Sequence, residues 1–231
     1  MIARDLQDVQ ISRRTILAGL LAPLGLTGCG LINTDSPFWA TAAKLVPGRS
    51  RSPVTRDYAD GLPYASMLAW FDGTDPAFIV LQSVSGNRLT WATAARQLVI
   101  TEGPYVVQTS GTEADLSRVI TVTGKLLPPL QAIGREQIRL IDVQKQRRFG
   151  WRLRSIFSES GEEKLAILDR EYTVLKITEE VTPDPDSAYR GGSYQNEYWV
   201  DRNTGIYWKT RQTLVPGLPG FNAEVLKPYT G

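Results

Sequence analysis

The sequence predicts a mainly β protein: antiparallel sheets in two similar β-rich halves, arranged as a sandwich or a half-barrel, with few short helices. Three observations predict it. From Tyr64 onward, short β-branched and aromatic runs recur about every 8–12 residues, separated by Gly, Asn, Asp and Pro. The stretch "FGWRLRSIF" (149–157) alternates, with Phe149, Trp151 and Leu153 on one face and Arg148, Arg152 and Arg154 on the other. A period of two with one polar face describes a half-buried antiparallel strand. Third, "ITEGPYVVQT" and "RNTGIYWKTRQT" each place a tyrosine two residues after a glycine, at an offset of 102 residues. A duplication or two unrelated hairpins would both give that match.

The chain opens on a different kind of segment. Arg13 and Arg14 precede the apolar run "TILAGLLAPLGLTG", which ends in small residues. The run is shorter than the about 20 apolar residues that a membrane-spanning helix needs. A charged start, a short apolar middle and a small-residue cleavage region make residues 1–28 an export signal, outside the fold proper. "SRRTIL" (12–17) resembles the twin-arginine export motif, and an ordinary secretory signal carrying two charges reads equally well. "LTGC" (26–29) resembles a lipobox, the cleavage site of bacterial lipoproteins. That resemblance implies that Cys29 becomes the first mature residue and carries a diacylglyceryl group on its sulfur. The absence of aspartate at Gly30 favours the outer membrane, facing the periplasm.

Residues 29–53 read as a lipidated tether, with one short helix around Trp39 to Leu45. Ten flexible residues reach roughly 17 Å, at about 5–6 Å × √n. Residues 54–123 form the N-terminal β half. "YASMLAWF", "AFIVLQSV", "RLTWAT", "QLVIT" and "YVVQTSG" are its strands, with turns at "DGTDP" and Ser85-Gly86-Asn87. "GTEADLSRVI" predicts a short closing helix capped by Thr112. Residues 124–136 contain Pro128-Pro129, which fits neither a central strand nor a helix interior, so a linker or crossover is expected.

Residues 137–231 form the C-terminal half. After the alternating strand, "SESGEE" reads as a turn, followed by strands "KLAILD" and "YTVLKITEEV" and a mobile polar loop, "TPDPDSAYRGGS". Gly205 suits the left-handed position of the next hairpin. An even register there puts Tyr194, Tyr198 and Val200 with Ile206 and Trp208, and Glu197 and Trp199 with Tyr207, Lys209 and Arg211. Burial selects against the odd register, which mixes charged and apolar residues on each face.

Composition excludes several chemistries. The 231-residue chain has no histidine and a single cysteine, so no intramolecular disulfide forms and no Cys/His metal cluster exists. The usual general base is missing, and so is any thiol nucleophile once Cys29 carries lipid. No catalytic residue, cofactor site or metal site is assigned. The net charge of +2 is far from the basic field of a nucleic-acid binder.

Three features invite binding. Lys145, Arg147, Arg148, Arg152 and Arg154 form a basic edge suited to an acidic polysaccharide or phosphates, or simply a solvated strand face. Of the aromatics Tyr198, Trp199, Tyr207 and Trp208, the pair off the core face could stack on sugars. The ligand or partner face is therefore placed at Arg148, Arg152, Arg154, Trp199 and Tyr207. Carboxylates are the third feature. Glu179 and Glu180 point to opposite faces of one strand, and nothing marks the spaced pair that glycoside hydrolysis uses.

The stretch "PYASMLAWFDGTDPAFIVLQSVSGNRLTWATAARQLVITEG" (63–103), with "TSGTEADL" and "NEYWVDRNTG", resembles the YjbF-like family, the group-four capsule polysaccharide lipoproteins. The resemblance covers nearly the whole mature chain, and its motifs are structural. It implies a lipid-anchored outer-membrane protein needed for capsule or exopolysaccharide assembly or export. Its partners would be the polysaccharide or export proteins, and it brings no catalytic residues. Two alternatives stand beside it: a carrier that shields lipid in a half-barrel cavity, and a glycan-modifying enzyme.

Overall fold

The computed structural model describes residues 54–112, 115–122 and 124–231. Cys29, the export signal, the tether and the short helix expected near Trp39 lie outside them. The described elements are α1 (Arg56–Gly61), β1 (Ser66–Phe71), β2 (Ala77–Ser85), β3 (Arg88–Ala92), β4 (Leu98–Glu102), β5 (Tyr105–Ser110), β6 (Leu116–Thr121), α2 (Pro129–Ala132), β7 (Glu136–Val143), β8 (Arg148–Ile167), β9 (Arg170–Pro183), β10 (Tyr194–Val200), β11 (Tyr207–Gln212) and β12 (Phe221–Lys227).

Each strand pairs antiparallel with its predecessor, except β6 with β5, and β12 returns to pair with β1. The result is one 12-stranded sheet curled into a nearly closed barrel. The fold is mainly β and antiparallel, as expected, and the two expected halves are two arcs of a single sheet. The ring closes at β5 and β6 without a backbone ladder. Thr109 Oγ1 on β5 accepts the Leu116 N–H at 2.9 Å and the Thr112 hydroxyl at 3.0 Å. Gln212 on β11 reaches across to the free edge. Its Oε1 accepts the Val106 N–H at 3.3 Å, and its Nε2 donates to the Pro104 carbonyl at 2.8 Å. Buried backbone groups of an edge strand are thus paired by a side chain, as burial demands.

Alternation along the strands divides the apolar residues between two clusters. The inner one joins Met67, Ile79, Trp91, Val99, Tyr105, Leu153, Phe157, Ile177, Tyr198 and Phe221. The outer one joins Phe78, Val80, Leu165, Ile167, Val174, Trp199, Trp208 and Leu226 with Ala59 of α1. The distal end of the β8–β9 hairpin and helix α1 supply the second layer that buries this outer patch. Arg56 fastens the layer. Its guanidinium donates to the carbonyls of Leu226 at 2.6 Å and Ile167 at 2.9 Å, joining helix, hairpin and β12. Thr55 caps α1 by accepting the Tyr58 N–H.

Several local expectations give way to packing. "SESGEE" is no turn: β8 runs through it, with a register shift between Glu159 and Gly161. Gly161 sits at φ +109°, and a glycine there makes a bulge that bends the strand without ending it. The turn falls instead at Leu168-Asp169. The expected helix after Thr112 is strand β6. Thr112 Oγ1 does accept the Asp115 N–H, but no helix follows, because Leu116 and Val119 are drawn into the core beside β7. The segment 124–136, expected as a linker or crossover, connects β6 to β7 and is itself packed. Leu126 and Ala132 belong to the inner cluster, Leu127, Leu130 and Ile133 pack on it, and Gly134 N–H donates to the Phe157 carbonyl. The β6–β7 connection is a plug in the barrel. The loop after β9 is anchored at its start, where Asp184 and Ser187 are buried and Ser187 Oγ accepts the Arg152 N–H at 3.0 Å.

In the β10–β11 hairpin the even register holds at Glu197↔Arg211, Tyr198↔Thr210 and Trp199↔Lys209. A bulge between Trp199 and Val200 then reverses the last two aromatics. Tyr207 pairs with Val200 and packs against the inner cluster, while Trp208 joins Trp199 in the outer one. The expected grouping of Trp208 with Tyr198 is thereby corrected to Tyr207 with Tyr198, their rings 6.4 Å apart and edge-on.

Candidate functional site

The barrel interior holds two features that neighbour one another: a buried polar network and an apolar cleft. Glu179 on β9 centres the network and is fully buried. One carboxylate oxygen accepts from Arg139 of β7, and the other accepts from Asn196 Nδ2 at 2.9 Å and the Tyr198 hydroxyl at 2.7 Å, both on β10. Arg139 also donates to Ser155 Oγ at 2.8 Å and lies over the Tyr105 ring at 5.4 Å. Asn196 Oδ1 in turn accepts the Thr213 N–H at 2.7 Å.

Burial alone would lower the Arg139 pKa, but the Glu179 charge together with the neighbouring Tyr198, Tyr105 and Tyr194 outweighs it and the net direction is upward. Burial, then the Glu179 charge, push Tyr198 and Tyr105 well above the usual tyrosine range. Each of the three side chains bonded to Glu179 is a donor, and Arg139 brings a positive charge. The arrangement therefore ties four strands together, with both carboxylate oxygens of Glu179 hydrogen-bonded.

The cleft opens at one end of the barrel and measures about 350 Å³. Met67, Leu89, Val106, Phe221 and Ala223 contribute its apolar wall, with Trp91 and Tyr207. Gly103-Pro104 and Thr204-Gly205 line it as well, so the two hairpins matched by sequence at an offset of 102 residues meet at the same cavity. Gly103 and Gly205 both take positive φ, +57° and +72°, where glycine turns a chain without strain. No lining residue carries a formal charge. Tyr207 joins cleft to plug: its hydroxyl accepts the Leu130 N–H at 2.9 Å. Burial pushes that hydroxyl up to about 12, the Leu130 bond offsetting part of the rise.

The face chosen from sequence is dispersed. Arg148 is exposed and lies 5.6 Å over the Trp151 ring. Arg152 Nε bonds Asp184 at 3.2 Å, and Arg154 lies 3.2 Å from Glu136 and 3.9 Å from Asp184. Of the basic edge, Arg152 and Arg154 are thus matched by carboxylates, Asp184 and Glu136. Trp199 is buried in the outer cluster, donates to Glu163 Oε1 at 2.5 Å, and sits between Lys176 and Lys209 at 5.1 and 5.5 Å. Tyr207 faces the interior. The structure brings the three arginines onto one strand but sets Trp199 and Tyr207 on opposite sides of the sheet. Cys29 lies outside the described residues.

Sequence reading missed Arg139, Ser155, Asn196 and the cleft. In "EQIRLIDV" the buried face carries Gln137, Arg139, Ile141 and Val143, while Ile138 and Leu140 are only half-buried. A polar residue on the inner face breaks the alternation signal, and only pairing with β8 and β9 reveals it. Among the described residues, no group of three Asp, Glu, His or Cys side chains is placed to hold a metal ion, and no helix is long and apolar enough to cross a membrane.

Fold and site define a class: an up-and-down, nearly closed antiparallel barrel whose interior is plugged, ion-paired and apolar at one mouth. Residues 39–226 match the family described as "Group 4 capsule polysaccharide lipoprotein gfcB, YjbF". The chain belongs to that family. Among solved structures, it is similar to the hypothetical lipoprotein YmcC from Escherichia coli (K12), at 25% sequence identity and a TM-score of 0.67. That similarity covers 78% of this chain and 92% of YmcC. No curated protein matches it.

Proposed function

We propose that the chain is a lipid-anchored accessory of capsule or exopolysaccharide assembly and export. It is held at the outer membrane, facing the periplasm, through lipid on Cys29. Its β body binds glycan or an export partner and catalyses no reaction. Family membership over residues 39–226 carries this reading. The site geometry supports the binding role. Glu179 is the fully buried carboxylate, and both its oxygens are held by Arg139, Asn196 and Tyr198. Asp184, also buried, is held by Arg152 and the Asp186 N–H. Neither resembles the free acid and base that glycan hydrolysis requires.

The test is Cys29→Ser, which keeps the side chain's size but removes the thioether. Anchoring raises the local concentration of the body near its partners. The variant should leave the membrane fraction, and surface polysaccharide should fall. A soluble variant that sustains normal surface polysaccharide overturns the claim that anchoring is needed.

A further inference from the structure

We propose that the cleft at the barrel mouth is a binding site for a single hydrocarbon chain. The inference goes beyond the export role and stands on the cavity alone. At about 350 Å³ the space lies at the small end of ligand pockets, which run about 300–1,000 Å³. Its wall is built from Met67, Leu89, Val106, Phe221 and Ala223, and none of its lining residues is charged.

Four of the five side-chain hydroxyls on the wall already accept a hydrogen bond, and the fifth belongs to the exposed Tyr229. Thr101 Oγ1 accepts the Trp91 indole N–H at 3.0 Å, Thr210 Oγ1 accepts from Gln212 at 3.2 Å, and Thr204 Oγ1 accepts the Ile206 N–H at 3.3 Å. The Tyr207 hydroxyl accepts from Leu130. A sugar ring entering this wall would trade its hydrogen bonds to water for apolar contact, which is unfavourable. A hydrocarbon chain loses nothing of the kind and gains from leaving water. The charged residues that flank the lining in sequence already have partners of their own. Glu102, next to Gly103, is matched by Arg88 at 3.7 Å, and Arg202, near Thr204, is matched by Glu159 at 2.6 Å. Lys227, next to Pro228, donates to the Asp60 and Leu62 carbonyls, so none of these three flanking cations is left to draw a carboxylate inward, and affinity comes from the chain and not from its head.

The chain could belong to a free or membrane lipid, or to the acylated cysteine of a lipoprotein, and the experiment separates these. The full-length protein carrying Cys29→Ser is titrated with the fluorescent fatty acid cis-parinaric acid. Laurate, myristate and palmitate then compete. Each added methylene should tighten competition about fourfold until the cleft is filled. A palmitoyl lysophospholipid and a dipalmitoylated cysteinyl peptide are compared next, and the better competitor identifies the source. Ala223→Phe fills the wall from β12, and losing space for two methylenes should weaken parinarate about fifteenfold. Leu89→Glu, which places a charge on β3, should weaken it as well and decides the matter if the first variant does not fold. Competition that ignores chain length, or equal binding by the parent protein and a folded variant, overturns the proposal. Loss of polysaccharide export with normal chain binding would touch only the export reading.

Discussion

Glu179 shows how an acidic residue can be fully buried when side-chain donors surround it. Its neighbour in sequence, Glu180, faces solvent on the same strand, as the two-residue period requires. The difference lies in partners: three side chains from β7 and β10 converge on Glu179. A buried pair broken on one side leaves an uncompensated charge, which costs about 3–5 kcal/mol. Glu179→Ala should lose that much in urea unfolding, since Arg139 would remain buried. Adding Arg139→Met should recover part of the loss. A change within about 0.5 kcal/mol, typical of surface sites, would mean that the pair does not hold the barrel. Tyr207 carries the other lesson at this scale. Alternation alone puts it on the other side of the sheet, because one bulged residue inverts the pattern beyond it and a bulge leaves no mark in the Trp199-Val200 dipeptide itself.

At the scale of elements, the β8–β9 hairpin does two jobs. Its proximal part, with Leu153 and Phe157, lines the barrel, and its distal part, with Leu165, Ile167 and Val174, covers the outer patch. The sequence marked both apolar runs correctly and misread what joins them. Gly161 between polar residues looks like a turn, and only the continuing ladder shows a bulge. The same limit hid α1, since a helix of six residues has too little periodicity to announce itself. Beyond the hairpin, Asp184 anchors the loop that follows β9. The Asp186 N–H, followed by the Arg152 side chain, holds its carboxyl below the ordinary value of 3.8. A carboxylate depressed in the folded state adds stability that is complete above the unfolded value and is lost as pH falls through the folded one. Stability should therefore decline below about pH 4. Asp184→Asn should be less stable at neutral pH and decline less steeply in acid. Equal acid slopes for the two proteins would show that Asp184 titrates alike in both states.

The whole molecule was legible in kind. Turn residues at regular spacing identified the antiparallel strands, and the "half-barrel" alternative came close to the nearly closed sheet observed. What remained hidden were long-range events: β12 returning to β1, the plug at 124–136, and the cleft where Gly103 and Gly205 meet. Each depends on contacts between segments distant in sequence, which local patterns do not encode. The polysaccharide role rests on family membership and on a body whose buried carboxylates are fully engaged. The most direct test is the polysaccharide itself, measured at the cell surface and analysed for sugar composition in cells lacking this protein and in complemented cells. The account predicts less polymer at the surface with an unchanged repeat unit, restored on complementation. A normal amount carrying an altered repeat unit would contradict it and make the protein a glycan-modifying enzyme.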